Sequence, residues 1–199
     1  MIYNICYMKG GGNMAPKVKI TKEDILNRAV DMVKQNGIES LNARALAKEL
    51  ECSTQPIFSN YKTMDELYDD LIAEANKIYN SFVEAQTGKY PIYKTHGMGY
   101  ICFAKEEKEL FKLLYMRNRE GEYQGDEDLQ PIYQMLMELL DVSLEDAKMF
   151  HLETWLFVHG IASTIASNYL DLDVELISKM ITDVFEGLKC KYGVKNDKN

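Results

Sequence analysis

Three consecutive polar side chains are the feature of this chain best suited to recognition chemistry. Ser53, Thr54 and Gln55 carry hydroxyl and amide groups, which can form hydrogen bonds with base edges and phosphate oxygens of nucleic acid. Gln55 is the best candidate for reading a base, because its amide can pair with adenine. A long acidic side chain at any of these positions would repel phosphate, and none is present.

The residues that follow predict a short helix that presents this polar group outward. The helix is expected over residues 54–59, with Ser53 as its cap and Pro56 in its first turn, where a missing backbone N–H is tolerated. Ile57 and Phe58 straddle its apolar side. We expect one of them to be buried against the other helices and one to face outward, as in the recognition helix of a helix-turn-helix.

Side chains on either side of this helix complete a surface for phosphate. Arg44 stands at the start of the preceding predicted helix, whose N-terminus also favours phosphate. Tyr61 is expected to lock the turn into the core, while Lys62 and the following helix start face the DNA backbone. The sequence therefore predicts a DNA-binding surface made of Thr21, Arg44, Ser53, Thr54, Gln55, Pro56, Phe58, Asn60, Tyr61 and Lys62.

Apolar residues recur at helical spacing along most of the chain, and runs of alternating β-branched residues are absent, which predicts an all-α fold. Thr21, Asn42, Ser53, Thr63 and Ser143 are expected to cap helices. Helices are predicted at 22–35, 43–51, 54–59, 63–86, 92–106, 107–118, 129–141, 144–170 and 173–192.

These elements divide the chain into a small head and a larger body. We expect a three-helix helix-turn-helix domain at 17–64 and a helical-bundle domain for ligand binding and dimerisation at 65–192. Residues 1–16 are interpreted as a disordered or misannotated extension, with Met14 as the true start, and residues 193–199 as a polar tail. The acidic, glycine-bearing segment 120–128 is the best candidate for a mobile loop.

Charge is distributed unevenly between these two parts. The chain has a net charge of −8, yet residues 14–64 hold eight basic and six acidic side chains, whereas residues 65–199 hold 14 basic and 25 acidic ones. A mildly basic head on an acidic body favours docking on phosphate head first. No apolar run reaches the roughly 20 residues of a membrane span, so membrane insertion is not expected.

Three stretches of the head follow a known family pattern. They are Gly37, Asn42-Ala43-Arg44-Ala45-Leu46-Ala47, and the run Cys52-Ser53-Thr54-Gln55-Pro56-Ile57-Phe58-Ser59-Asn60-Tyr61-Lys62-Thr63-Met64-Asp65-Glu66-Leu67. Through these residues the head resembles the TetR family of bacterial transcriptional regulators. Two residues depart from the family pattern, because Asn60 stands where histidine is common and Met64 stands where lysine is usual, which removes one phosphate contact.

The body resembles one subgroup of that family, through the run from Gly99 to Tyr115, where Lys108 replaces a usual proline, and through the W-x-x-x-HG motif at Trp155 to Gly160. This resemblance implies a homodimer whose last two helices form a four-helix bundle with the partner copy. It also implies a pocket for a small effector. The implied ligand-binding residues are Tyr100, Phe103, Phe111, Tyr115, Tyr133, Met137, Trp155 and His159.

Alternatives to both implications remain open at this point. A larger monomeric core would also explain helices that are apolar on more than one face. Any one of the implied ligand residues is also consistent with ordinary core packing. For His159 in particular, a hydrogen-bonded core histidine is favoured over a ligand contact.

No residue pattern indicates catalysis, a metal site or a cofactor. His96, His151 and His159 lie outside any recognisable catalytic or metal-binding motif, and the four cysteines are too far apart in sequence for a zinc or redox pair. We therefore expect a cytoplasmic repressor that binds a palindromic operator as a homodimer and is released by a small hydrophobic or amphipathic effector. The alternative is a helical protein-interaction module with a non-functional DNA-binding head.

Overall fold

The computed structural model describes residues 20–118 and 126–193, and these form nine α-helices without a β-strand. This confirms the predicted all-α fold. The predictions for residues 1–16, for most of the 120–128 loop and for all of the 193–199 tail except Gly193 fall outside the described residues. The helices are α1 (Lys22–Asn36), α2 (Ala43–Glu49), α3 (Gln55–Asn60), α4 (Met64–Glu84), α5 (Ile92–Glu106), α6 (Lys108–Tyr115), α7 (Gln130–Leu140), α8 (Leu144–Ala166) and α9 (Val174–Lys191).

Side-chain caps begin several of these helices as the sequence predicts. The Thr21 hydroxyl accepts a hydrogen bond from the Asp24 N–H at 3.1 Å, and the Asp24 carboxylate accepts one from the Thr21 N–H at 2.9 Å, which completes a capping box. At the start of α4 only half of such a box forms. Thr63 accepts from the Glu66 N–H, but the Glu66 carboxylate accepts from the Lys62 N–H at 2.8 Å.

Four helices, α2, α4, α6 and α8, end two or more residues earlier than predicted, and left-handed residues lie just past the ends of α2 and α8. Helix α2 ends at Glu49 because Glu51 adopts a left-handed conformation with φ of 50°, which turns the chain toward α3. Helix α8 ends at Ala166 and not at residue 170. Asn168 has φ of 59° there, and the Ser167 hydroxyl donates to the Thr164 carbonyl, which leaves the chain in a turn.

One hydrophobic core runs through the head and into the body. Ile25 of α1, Leu46 of α2 and Ile57 of α3 belong to the same buried cluster as Leu67 of α4 and Phe111 of α6, and all five are fully buried. Helix α1 packs directly on α4 and α6. The head is therefore seated on the body by apolar contact as well as by the covalent link between them.

Helix α5 is the centre of the body, where it packs chiefly against α4 and α8. Its approach to α4 depends on Gly99. A Cβ atom added to Gly99 would lie 2.6 Å from the Cα of Val83 and 2.9 Å from its backbone nitrogen. Because those atoms are backbone, they cannot move aside as the end of a side chain would, so the close approach of the two helices requires glycine at this position.

We expect Gly99→Ala to lower the free energy of unfolding by about 1–3 kcal/mol, because the added methyl group forces α4 and α5 apart. Gly187→Ala is the matched control: it is also a helical glycine, but its added Cβ meets no atom within 4 Å in the described chain. That change should stabilise the protein by about 0.5–1 kcal/mol through helix propensity. Urea unfolding followed by circular dichroism measures both, and a neutral Gly99→Ala would contradict the close contact.

Candidate nucleic-acid interface and cavity

Helix α3 presents its polar residues outward and anchors itself through one apolar side chain. Ile57 is fully buried, whereas Phe58 is 48% exposed. Ser53 and Gln55 are exposed, and Thr54 is half-buried. The structure therefore places the polar end of α3 and the Phe58 ring at the surface, as the sequence predicts.

Tyr61 supports this surface from beneath. Its side chain is 2% exposed, which excludes its ring from the outer face and corrects its assignment as a direct contact residue. The Lys22 ammonium lies 4.7 Å from the centre of the Tyr61 ring and 2.7 Å from an Asp70 carboxylate oxygen. These contacts tie the end of α3 to α1 and α4, so Tyr61 fixes the orientation of the helix that carries Gln55.

The ends of α3 differ in detail from the prediction. Within the described chain no side chain caps α3, and Thr54 rather than Ser53 occupies the N-cap position, with Pro56 second in the helix. At the other end, the Asn60 amide donates to the Pro56 carbonyl at 2.8 Å and the Ser59 hydroxyl donates to the Gln55 carbonyl at 2.8 Å. Asn60 therefore closes the last turn of the helix with its own side-chain amide.

Three exposed cations lie on α2 or directly after α3. Arg44 and Lys48 on α2 and Lys62 after α3 are all exposed. Thr21 is exposed as well, but its hydroxyl serves the capping box of α1. Met64 is half-buried and packs against the core, so this position contributes to packing where the resembled family usually has a lysine.

A cavity of about 440 Å³ lies in the body between α4, α5, α7, α8 and α9. That volume is within the range of small-molecule sites, and its wall is mostly apolar and aromatic, as in such sites. Its lining residues include Tyr79, Ile92, Tyr93, Lys94, Tyr100, Tyr115, Ile132, Leu139, Leu140, His151, Thr154, Trp155, Val158, Ile181, Thr182, Phe185, Glu186 and Lys189.

Two tyrosine–histidine pairs bridge α5 and α8 at this cavity. The Tyr93 hydroxyl lies 3.0 Å from Nδ1 of His151, and the Tyr100 hydroxyl lies 2.9 Å from Nδ1 of His159. Burial lowers the pKa of both histidines, because it disfavours the charged imidazolium. Trp155 stacks on His159 with ring centres 4.9 Å apart. The pairs hold the aromatic wall in one arrangement.

Some of the ligand residues implied by the resemblance reach the cavity and others do not. Tyr100, Tyr115 and Trp155 line it. His159 lies behind this wall as a hydrogen-bonded histidine, which is the role that the sequence favours for it. Phe103 and Phe111 are fully buried in the main core, Tyr133 is buried beside His151, and Met137 packs in a second core cluster below α7. These four are packing residues in the structure.

Tyr79, Tyr93, Lys94 and His151 line the cavity but were not among the residues implied by sequence. A signal for two of them was present. Tyr93 precedes Tyr100 by two helical turns, and His151 precedes His159 by slightly more than two, so each pair shares a helix face. Tyr79 gave no such signal, because α4 reads from sequence only as a long connecting helix.

Other classes of site find no support in the described residues. No group of three or more histidine, cysteine, aspartate or glutamate side chains there is arranged to hold a metal ion. None of the helices in that part of the chain is both long and apolar enough to span a bilayer. Among the described residues, the outward-facing helix-turn-helix and the partly open aromatic cavity are therefore the candidate ligand sites.

The arrangement of helices is that of known transcriptional regulators. Comparison with solved structures finds a TetR-like transcriptional regulator from Rhodococcus sp. RHA1, with a TM-score of 0.60 at 15% identity, over 85% of this chain and 93% of that one. A TetR-family member from Streptomyces coelicolor A3 matches with a TM-score of 0.56 at 17% identity, over 80% of this chain and 95% of that one. No family model matches the sequence, and no curated protein does.

Proposed function

We propose that this chain is a TetR-family regulator that binds a palindromic DNA operator as a homodimer, represses transcription, and is released by a small effector in the body. It would act in the cytoplasm without catalysing a reaction. The proposal rests on the TetR-like fold, on the sequence resemblance of the head, and on the site geometry. The observation that carries it is the outward placement of Ser53 and Gln55 on a helix anchored by Ile57.

The chemistry of the exposed head suits DNA. Gln55 offers an amide for a base edge, and Phe58 offers an apolar face that can contact a thymine methyl group. Arg44, Lys48 and Lys62 flank α3 with positive charge, which can neutralise phosphate and give salt-dependent affinity. The dense acidic residues lie in the body, so the long-range field also favours approach through the head.

An unpartnered apolar stripe on α8 supports the homodimer. Met149, Leu152 and Leu156 lie three or four residues apart and are 48%, 46% and 54% exposed. Gly160 continues the stripe, and a Cβ added to it would meet no atom of the described chain within 4 Å, which leaves room for a second helix. Leu176 on α9 is 47% exposed as well. A twofold axis at this surface would pair two heads for two half-sites.

A physical route connects the cavity to the head through α6. Tyr115 lines the cavity at one end of α6. At the other end, Glu107 just before α6 forms an ion pair with Lys34 of α1 at 2.5 Å, and the Glu109 carboxylate packs against Gly37. A ligand that shifts α6 would therefore move α1. Coupling of about 1–3 kcal/mol between the two sites is sufficient to change DNA affinity 5- to 150-fold.

The first test concerns Gln55. On an operator selected from random duplex by the wild-type protein, Gln55→Ala should weaken binding by about 1–3 kcal/mol and relax the preference at one base position per half-site. Fluorescence anisotropy on the selected operator and on single-base variants measures both effects. A loss that is equal on all DNA sequences would contradict base reading by Gln55.

Lys62→Ala is the matched control, because Lys62 is equally exposed beside the same helix but is assigned to phosphate. It should weaken binding to all sequences alike and reduce the slope of log affinity against log salt by about 1. If the wild-type protein shows no salt-dependent retention on any DNA, the DNA-binding proposal fails and the interaction-module alternative takes its place.

A further inference from the structure

One wall of the cavity carries a positive charge that no carboxylate of the described chain neutralises. Lys94, in the first turn of α5, lines the cavity and donates a hydrogen bond to the Thr182 hydroxyl at 2.8 Å. Its ammonium also lies 5.0 Å from the centre of the Tyr90 ring. Among the residues that the structure describes, none forms an ion pair with it.

The acidic side chain on the cavity wall is already paired. Glu186 lies one turn after Thr182 on α9, and its carboxylate accepts from the Lys189 ammonium at 3.1 Å. That pair cancels its own charge, so among the lysine, arginine, aspartate and glutamate side chains of the described lining only Lys94 carries an unpaired charge, beside the imidazole rings of His96 and His151. The sign of this local charge is opposite to that of the whole chain, whose net charge is −8.

Partial burial makes that positive charge less favourable than it would be in water. It lowers the pKa of Lys94, which means that the ammonium is partly withheld from water. Helix α5 also begins at Ile92 without a side-chain cap among the described residues, so the positive end of its dipole adds to the charge of Lys94. An anionic oxygen at this place would satisfy both the ammonium and the helix end.

The rest of the cavity suits an apolar body. Tyr79, Tyr100, Ile132, Val158 and Ile181 contribute rings and aliphatic groups from five helices and surround the space beyond Lys94. Its volume equals that of roughly 15 water molecules in the liquid at about 30 Å³ each, which admits a ligand of comparable heavy-atom number. A neutral or cationic ligand would fill this body but leave Lys94 unpaired or repelled.

We infer that the effector is an amphiphilic carboxylic acid, whose carboxylate pairs with the Lys94 ammonium at the N-terminus of α5 and whose apolar body fills the tyrosine-lined cavity. This inference specifies the effector class within the proposed function and rests on it for its regulatory meaning. The binding preference itself does not depend on DNA. Dodecanoate is a probe of this class, with dodecanol and dodecyltrimethylammonium as neutral and cationic probes of the same tail.

Trp155 makes the preference measurable without a label. It is the single tryptophan of the chain, it lines the cavity and it stacks on His159, so entry of a ligand changes its fluorescence. In titrations of the wild-type protein, dodecanoate should bind at least about tenfold more tightly than dodecanol, which is the scale of one charge-assisted hydrogen bond. Dodecyltrimethylammonium should bind more weakly than dodecanol.

Two substitutions assign this preference to one residue. Lys94→Met should weaken the affinity for dodecanoate about tenfold and leave the affinity for dodecanol unchanged. Lys179→Met, which removes an exposed cation of α9 outside the described cavity lining, should preserve the preference for the acid. Equal affinities for the three probes in the wild-type protein, absence of binding by all three, or a Lys94→Met variant that retains the preference would each overturn the inference.

DNA binding by the same ligand-free preparations separates this inference from the proposed function. A protein that binds its operator but shows no preference for the acid refutes only the effector class. A protein that prefers dodecanoate but binds no DNA refutes the regulator and leaves the acid-binding cavity standing.

Discussion

Phe111→Ala is expected to lower the free energy of unfolding by about 3–5 kcal/mol, which is the range for removing a buried aromatic side chain. The Phe111 ring is fully buried, and its centre lies 5.1 Å from that of Tyr100 and 5.3 Å from that of Tyr115. It also stacks on His159. Because Tyr100 and His159 hold each other by a hydrogen bond, the neighbouring rings cannot collapse readily into the space left by the change. Urea unfolding measures the loss.

Met116→Ala is the control for this change. Met116 lies five residues farther along, just past the end of α6, and is 44% exposed, so its truncation should cost less than about 1 kcal/mol. If Phe111→Ala lowers the free energy of unfolding no more than Met116→Ala does, then the aromatic cluster between α5, α6 and α8 does not stabilise the fold as its geometry indicates.

The second large effect concerns the stripe on α8. The double variant Leu152→Lys and Leu156→Lys should convert the proposed homodimer into monomers. An uncompensated charge buried at an interface costs about 3–5 kcal/mol, and a twofold axis places each substitution in the interface twice. Sedimentation velocity at micromolar concentration should show a dimer for the wild-type protein and a monomer for the variant, with a loss of affinity for a palindromic operator.

Glu84→Lys is the matched control, because it changes the net charge by the same amount as the double leucine variant but lies at the exposed end of α4, away from the stripe. It should remain dimeric. A wild-type protein that sediments as a monomer would contradict the homodimer, and so would a double variant that sediments as a dimer.

The helices and the head could be predicted because their signals are local. A helix cap depends only on residues within one turn of it, and the structure confirms the predicted caps Thr21 and Ser143. The apolar spacing of Ile25, Ala29 and Val33 is likewise local, and all three residues are buried. The errors at the ends of α2 and α8 come from left-handed residues, Glu51 and Asn168. Neither is glycine, the usual residue at such an end, so Glu51 gives no signal from sequence and Asn168 gives only a weak one, since asparagine also adopts this conformation.

The cavity wall could be predicted only in part, because it depends on which helix faces which. Phe103 and Tyr100 are three residues apart on α5 and equally aromatic, yet Tyr100 reaches the cavity and Phe103 is enclosed in the core between α4 and α6. From the sequence alone, Lys94 would be predicted to be an ordinary surface lysine. Its role depends on Thr182, which is 88 residues away and is brought near by the packing of α9 against α5.

The seating of α1 on α6 has a consequence for anyone who wishes to build hybrid regulators from this protein. A graft that joins residues 20–64 to a foreign body would separate Lys34 from Glu107 and expose Ile25 and Val33, which the body now helps to cover. We expect such a hybrid to have a poorly packed junction between head and body, which would weaken the proposed response to an effector. A hybrid that takes α6 together with the head, or that keeps the residues of α6 that face α1, should retain the proposed coupling between the cavity and the DNA-binding surface.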